Sequence, residues 1–295
     1  MNDMLRECAD VNHGPIDRPL DRFFSGQPTS DGAGVRLTRY IGSQLLSELD
    51  PFLLLDFFES DNPDDYIAGF PSHPHRGFET VTYLLAGKMR HGDSAGHSGV
   101  IEAGGIQWMT AGRGIIHSEI PEMLEGRMSG FQLWVNLPAK YKMVPPKYQD
   151  IPADKIPSVS GEGYKVRVIR GEYEKTKGPA ESLMPVRVLD ITMEKQANWS
   201  VTPNKNNSHF LCIYEGSILA DNIEGQKQEI SSPSVVVFEG EGQIQITTTN
   251  NPSNILYCEG TPLNEPVARY GPFVMNTQSE IKQAVDDYNS GVLAT

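Results

Sequence analysis

The sequence predicts an all-β fold of two β domains with one α-helix near the C-terminus, and three observations support this. Short runs rich in Val, Ile, Thr or aromatic residues, such as ETVTYLLAG and GFQLWVNLP, lie between turn residues, which include 28 Gly and 21 Pro. Many short strands at regular spacing are typical of antiparallel sandwiches or barrels. A Pro-rich stretch at 138–157 has no strand-length apolar run and predicts a connection between domains. We therefore expect an N-terminal arm at 1–14 and domains at 15–150 and 151–295.

The predicted helix begins at TQSE, a capping box in which Thr277 is the N-cap and Glu280 reaches back to it. Gly291 can end the helix. Its apolar stripe is expected to pack on a barrel. The stripe follows helical spacing and consists of Ile281, Ala284, Val285 and Tyr288.

The composition excludes several classes of protein. A formal net charge of −13 and a pI near 5.0 leave no basic footprint for a DNA or RNA backbone, so direct nucleic-acid binding is not expected. Cys8, Cys212 and Cys258 are far apart and odd in number, which argues against a disulfide framework and fits a reducing compartment. The N-terminus has charges where a signal peptide needs an apolar core, and no apolar run approaches transmembrane length. We expect a cytoplasmic protein without a membrane partner.

Two pairs of potential ligands predict a metal site. In FPSHPHRGFE, His73 and His75 are two residues apart on an extended segment, so their side chains point to the same side. His117 and Glu119 repeat this spacing in GRGIIHSEIP, and all four can point inward if the segments are neighbouring strands. A single pair is more often a surface feature, whereas the repetition favours a metal. Three imidazoles and one carboxylate suit Fe(II), Mn, Cu, Ni or Zn with open positions for water or substrate.

The stretches HPHRGFETVTYLLAGK, GGIQWMTAGRGIIHSEIP and LNEPVARYGPFVMNT resemble the pirin family, a branch of the cupin superfamily, over about residues 15 to 290. The resemblance implies two stacked cupin (jelly-roll) β-barrels and a mononuclear metal in the N-terminal barrel. By position, the ligands of the family fall on His73, His75, His117 and Glu119, and Glu119 is also the candidate catalytic residue. Fe(II) is the expected metal, with Cu, Mn, Ni, Co or Zn as alternatives.

Glu79 occupies the position, shortly after the His-x-His motif, at which general cupins place a ligand Glu. Pro74 and Gly77 interrupt strict alternation between His75 and Glu79. Pirins resemble one another in using the carboxylate after the third histidine instead. We therefore assign Glu119 as the ligand and expect Glu79 to accept a hydrogen bond from a ligand imidazole.

The other four histidines are not expected to bind metal. His91 and His97 fall in a Gly/Ser-rich turn and are predicted to be solvated. His13 lies in the arm, and His209 begins a strand with no second ligand near it.

The two halves of the chain align as a degenerate repeat. Aligning Gly216 with Gly87 offsets the halves by 129 residues, and aligning Gly240 with Gly112 offsets them by 128. Neutral polar residues then occupy every ligand-like position of the second half, so the C-terminal barrel is predicted to be metal-free. These residues are Thr202, Asn204, Ser208, Gln245 and Thr247.

The resemblance implies activity similar to that of quercetin 2,3-dioxygenases, in which a small aromatic substrate of the quercetin-like or another chelating type reacts with O₂. Proximity at the metal would supply most of the catalysis. A second hypothesis is a regulatory protein whose metal or redox state controls binding to a transcription factor or metabolic enzyme. A third, storage or isomerase function, needs no redox metal. Three residues flank the motifs and either line an apolar pocket or belong to the core: Phe70, Trp108 and Met109.

Overall fold

The computed structural model describes residues 18–122, 126–238 and 240–295, so the predicted arm at 1–14 lies outside the described residues. Within them, the prediction of an all-β protein with a C-terminal helix is confirmed. The chain forms two cupin barrels, each built from a seven-stranded and a four-stranded sheet.

The strands form two sets along the chain, and three short 3₁₀-helices interrupt them at Pro63–Asp65, Ala139–Tyr141 and Ala153–Lys155. The first set is β1 (Leu20–Ser25), β2 (Gln27–Asp31), β3 (Val35–Ile41), β4 (Phe52–Ser60), β5 (Phe70–His75), β6 (Phe78–Ala86), β7 (Lys88–Asp93), β8 (Ser98–Glu102), β9 (Ile106–Thr110), β10 (Ile115–Pro121), β11 (Met128–Asn136) and β12 (Lys147–Ile151). The second set is β13 (Ser158–Gly161), β14 (Tyr164–Arg170), β15 (Glu172–Tyr173), β16 (Thr176–Lys177), β17 (Val186–Met193), β18 (Asn198–Val201), β19 (Ser208–Glu215), β20 (Ser217–Asp221), β21 (Lys227–Ser231), β22 (Ser234–Phe238), β23 (Ile244–Thr248), β24 (Ser253–Gly260), β25 (Ala268–Tyr270) and β26 (Phe273–Met275).

The sheets of both barrels have the same arrangement. The first barrel combines the sheet β12-β9-β6-β11-β4-β3-β2 with the sheet β5-β10-β7-β8. The second combines β1-β22-β19-β24-β17-β14-β13 with β18-β23-β20-β21. The hairpins β15-β16 and β25-β26 lie outside these four sheets.

The N-terminal strand and the C-terminal segment of the described chain each pair with the barrel that the other half of the chain forms. The predicted domain limits place β1 in the first domain, whereas β1 pairs with β22 in the second barrel. In the other direction, Phe273 forms a β-bridge with Arg76 of the first barrel. The buried Nζ of Lys142 donates hydrogen bonds to the carbonyls of Gly77 and Val274 at 2.8 and 3.0 Å. The segment around β26 is therefore tied to the chain that immediately follows β5.

The two seven-stranded sheets pack against each other through one apolar cluster with residues from both barrels. The ring centroids of Phe52 and Phe210 are 5.2 Å apart across this contact. A buried carboxylate, Asp190, accepts hydrogen bonds from the hydroxyls of Tyr83 in the first barrel and Tyr214 in the second. Apolar burial and satisfied polar groups thus both hold the barrels together.

The helix α1 (Gln278–Asn289) begins at the predicted capping box, in which Thr277 and Glu280 bond each other's backbone N–H groups. Its buried residues Ile281 and Ala284 pack in a cluster that also contains Ile116 of β10. Tyr288 ends the predicted stripe but is 41% exposed. The helix therefore packs on the β25-β26 hairpin, which contributes Ala268, Phe273 and Met275 to this cluster, and the partly buried Ile116 packs against the same cluster. No helix in the described part of the chain is long and apolar enough to span a membrane.

Candidate metal centre

The two strands that carry the histidine motifs, β5 and β10, are neighbours in one sheet, as the metal-site prediction requires. His117 lies directly opposite His73 in the antiparallel pair. The ring centroid of His117 is 4.4 Å from that of His73 and 4.9 Å from that of His75. Ligand atoms of the three side chains all lie within 4.8 Å of one another. The structure therefore brings together three of the four predicted ligands in one compact group.

Glycine turns fix the ends of these strands. Gly77 follows β5 with a φ of 92°, and Gly112 precedes β10 with a φ of 53°, values that favour glycine. The N–H of Gly77 donates to the carbonyl of Gly112 at 2.8 Å. A side chain at Gly112 would also meet the carbonyl oxygen of Val144 at 2.1 Å. The GFE and GRG segments of the motifs thus set the register in which the histidines meet.

Two of the three imidazoles carry ring nitrogens that no group in the described part of the protein satisfies. Among the described residues, Nδ1 of His75 and both ring nitrogens of His117 are buried without a hydrogen-bond partner. Nδ1 of His73 lies 2.8 Å from the Pro71 carbonyl, to which it can donate, so that Nε2 is left as a ligand atom. This Nε2 is 3.0 Å from Nε2 of His75. Since buried polar atoms are nearly always paired, these orphaned nitrogens fit a bound metal ion.

The electrostatic environment keeps His75 and His117 neutral, which is the form that binds a metal. Burial lowers the pKa of His117 to about 3, and His73 nearby acts in the same direction. Burial also lowers the pKa of His75 well below its ordinary value, followed by the effects of His117 and His73.

Glu119 lies on the same strand beyond an irregularity in the pairing. The register between β10 and β5 shifts after His117, so that Glu119 lies opposite Phe70. Its buried carboxyl group lines the same cavity as His73 and His75. It is not part of the group of three whose ligand atoms lie within 4.8 Å of one another. Its role as fourth ligand therefore stays a prediction.

The surroundings of Glu119 favour its protonated form. Burial raises its pKa, against the opposing effects of a hydrogen bond from Thr82 and of His73. The hydroxyl oxygen of Thr82 lies 2.6 Å from Oε1 of Glu119 and 2.7 Å from Oε1 of Gln132. One hydroxyl proton cannot serve two acceptors, so either Glu119 donates a proton to Thr82 or the Gln132 amide presents its nitrogen. In the first arrangement, Glu119 holds a proton in the cavity that it lines together with His73 and His75.

The prediction that Glu79 supports a ligand imidazole is wrong. Its fully buried carboxylate accepts hydrogen bonds from Trp108 Nε1 at 3.1 Å and from Thr110 Oγ1 at 2.8 Å. It also accepts bonds from the Ser182 hydroxyl and, at 3.2 Å, from the Leu183 N–H in the second half of the chain. The left-handed turn at Gly77 changes which face of the next strand points inward, so Glu79 joins the two halves instead.

The remaining histidines depart from expectation at one position. The prediction that His91 is a solvated turn residue is wrong, because it lies on β7 with 2% exposure and pairs with Asp150 at 3.0 Å. His97 is exposed in the turn, as predicted, 3.0 Å from Asp93. His209 lies on β19 beside Arg18, and burial lowers its pKa to about 4. His13 lies outside the described residues.

A cavity of about 610 Å³ opens on His73 and His75, within the size range of small-molecule sites. Phe70 lines it, as one of the two interpretations of that residue predicted. Trp108 and Met109 do not, because both are fully buried in the core. Sequence reasoning missed Gln132 and Trp134, which line the cavity from β11. Their spacing of two residues in GFQLW was the available signal.

The ligand-like positions of the second barrel do not fall where the repeat alignment put them. Thr202, Asn204 and Gln245 are exposed. The inward positions on β18 and β23 carry buried apolar side chains instead, because the side-chain alternation of these strands is shifted by one residue. These side chains are Trp199, Val201, Ile244 and Ile246.

Known proteins resemble the chain over nearly its whole length. Two family models match, Pirin over residues 34–135 and the Pirin C-terminal cupin domain over residues 188–294. A Pseudomonas aeruginosa protein, provisionally named a quercetin 2,3-dioxygenase, is 47% identical over 286 residues, which cover 94% of this chain and 98% of that protein. The crystal structure of a quercetin 2,3-dioxygenase from Acinetobacter baumannii is 33% identical with a TM-score of 0.87, covering 95% of this chain and 99% of that one. A bacterial pirin from Escherichia coli, in complex with nickel(II), has a TM-score of 0.62 at 17% identity, covers 82% of this chain and 99% of its own, and shows the fold alone.

Proposed function

The chain belongs to the pirin family, and on that premise we propose that it is a mononuclear iron-dependent dioxygenase that cleaves quercetin-like flavonols or other chelating aromatic compounds. The observation that carries the proposal is the group of three imidazoles beside a cavity of about 610 Å³, two of which, His75 and His117, are buried with unsatisfied ring nitrogens. A purely structural histidine cluster would satisfy these atoms with protein partners.

The proposed ligands are His73, His75, His117 and Glu119. A transition metal held by them would supply a Lewis acid for substrate oxygens and, if it is redox-active as iron is, a centre for the reaction with O₂. We favour iron, and Cu, Mn, Ni, Co and Zn are the alternatives that the donor set accepts. We also propose a cytoplasmic location, because Cys212 and Cys258 are free, buried thiols.

The side chains around the cavity supply binding and proton transfer. Phe58, Phe70 and Trp134 give the walls an apolar surface that can hold an aromatic ring and exclude water. In its ionised form, Glu119 can take the proton that a substrate hydroxyl releases on binding, because burial favours the protonated product by raising the pKa of this carboxyl group. The cavity thus combines an aromatic-binding surface, a proton acceptor and the ligand group.

The test is aerobic incubation of iron-loaded protein with quercetin, with O₂ uptake and the loss of quercetin absorbance measured together. We expect turnover in the wild type and none in His73→Ala. His97→Ala is the matched control, because His97 is exposed outside the ligand group, and it should keep full activity. Absence of turnover in iron-loaded wild type, or equal turnover in His73→Ala, would contradict the proposal.

A further inference from the structure

Arg269 lies in the wall of the metal cavity although it comes from the second half of the chain, on β25. Its guanidinium carbon is 4.9 Å from the ring centroid of Trp134. The Trp134 ring in turn lies 5.3 Å from the ring of His75. One indole therefore separates a permanently charged group from the candidate ligands.

The hydrogen-bonding capacity of Arg269 is largely unused. Among the described residues it makes one hydrogen bond, at 3.4 Å to the Leu53 carbonyl, and no ion pair within 4.0 Å. A guanidinium has five N–H donors, and a contact with an aromatic face consumes none of them. Since Arg269 is also exposed at the cavity wall, these donors are accessible to a ligand.

The carboxylates of the same wall are already paired with a different arginine. Arg39 binds both oxygens of Asp56, at 2.8 and 2.7 Å, and also binds Asp31 at 2.9 Å. Asp31 further accepts the N–H of Gly32 at 2.7 Å. The positive charge of Arg269 therefore has no carboxylate at contact distance within the described wall.

We propose that the substrate is an anionic aromatic compound and that Arg269 is a specificity-determining residue that binds its carboxylate or equivalent anionic oxygen group. The inference rests on the proposed function, in which the chelating oxygens of the same molecule lie at the histidines. Apolar residues also line the cavity that contains Arg269 and the histidines, among them Leu54, Phe58 and Trp134. A planar ring with oxygens at opposite ends matches this distribution of ligand atoms, apolar wall and cation.

The experiment compares two probes of similar size, 3,4-dihydroxybenzoate and 4-methylcatechol, by anaerobic isothermal titration calorimetry on iron-loaded protein. Both carry chelating oxygens and only the first carries the carboxylate. Wild type should bind 3,4-dihydroxybenzoate at least about tenfold more tightly, the effect of one charge-assisted hydrogen bond. Arg269→Gln should remove the preference. Arg22→Gln is the matched control, because Arg22 also lies over an aromatic ring, 5.9 Å from Phe24, but outside the cavity.

Each outcome decides the matter. A wild-type preference that is lost in Arg269→Gln and kept in Arg22→Gln supports the inference. Equal binding of both probes by the wild type, or a preference that survives in Arg269→Gln, overturns it and leaves the binding of chelating aromatic compounds intact. If the wild type binds neither probe, the proposed function fails and the inference fails with it.

Discussion

His73 on β5 and His117 on β10 lie directly opposite each other in an antiparallel pair, with ring centroids 4.4 Å apart. His75, two residues along β5, adds its ring to the same side of the sheet, 4.7 Å from His73. The candidate metal centre therefore follows from a short-range pattern on two strands that the fold makes neighbours.

One metal ion per chain is expected, bound at this group. Elemental analysis should give at most one iron per chain in the wild type and close to none in His117→Ala, because the variant removes one of three clustered ligands. His209→Ala is the control, since His209 is a buried histidine in the other barrel and should leave the metal content unchanged. Two metals per chain would show that the second barrel also binds one.

Substitution of the two buried glutamates, Glu119 and Glu79, should affect different properties: metal affinity for the first and folding stability for the second. Glu119→Gln should weaken metal binding, measured by competition with a chelator, because it removes the proposed fourth ligand. Glu79→Gln should keep the metal affinity and lower the free energy of unfolding by about 1–3 kcal/mol, since a buried carboxylate with four hydrogen bonds is replaced. The reverse ranking for metal affinity would refute the assignment of Glu119.

The attachment of the C-terminal segment to the first barrel can be tested by substituting two glycines of similar backbone conformation. Gly77 has a φ of 92° and Gly96 a φ of 89°. A Cβ at Gly77 would clash with the carbonyl oxygen of Val274, whereas no heavy atom of the described residues, apart from the two chain neighbours, lies within 4 Å of a Cβ at Gly96. Gly96→Ala should therefore cost about 1 kcal/mol of backbone strain, and Gly77→Ala about 3 kcal/mol. Urea unfolding measures both values, and equal losses would show that the contact with Val274 contributes little.

The stability of metal-free protein should fall in acid. Burial lowers the pKa of His75, His117 and His209, so below the unfolded value of about 6.5 the unfolded chain binds protons that the folded chain does not. Stability should then fall with decreasing pH by about 1.4 kcal/mol per pH unit for each such histidine, ending near pH 4 for His209 and near pH 3 for His117. The raised pKa values of the buried carboxyl groups of Glu119, Asp56 and Asp190 contribute with the opposite sign. Urea unfolding of chelator-treated wild type and His209→Ala from about pH 7 to 5 measures the slopes, and equal slopes would contradict the burial of a neutral His209.

The parts of the site that short sequence patterns encode could be predicted, whereas the parts that depend on distant segments of the chain could not. The spacing of two residues in His-x-His and His-x-Glu and the TQSE capping box are local patterns, and the structure places the three histidines together and begins the helix at Thr277. The orientation of Glu79 depends on the turn at Gly77 and on the second half of the chain, which no short pattern shows.

The other errors have similar physical causes. The repeat alignment matched turn glycines, but a shift of one residue exchanges the two faces of a strand, so Ile244 and Ile246 point inward where Gln245 was expected. The glycine and serine residues that follow His91 predict a turn at this position, whereas β7 extends through it. Arg269 reaches the cavity only because the chain returns from the second barrel to the first.

The most direct test of the account measures metal occupancy and O₂-dependent quercetin turnover on the same samples between about pH 5 and 8. Three ligands must be neutral imidazoles, so protons compete with the metal and occupancy should fall in acid. Since burial lowers the pKa of His75 and His117, the fall should begin below the ordinary value of about 6.5. We predict that turnover falls in proportion to occupancy and is absent after chelator treatment. Turnover that survives in acid-stripped or chelator-treated protein would contradict the account, because the chemistry would then lie outside the histidine site.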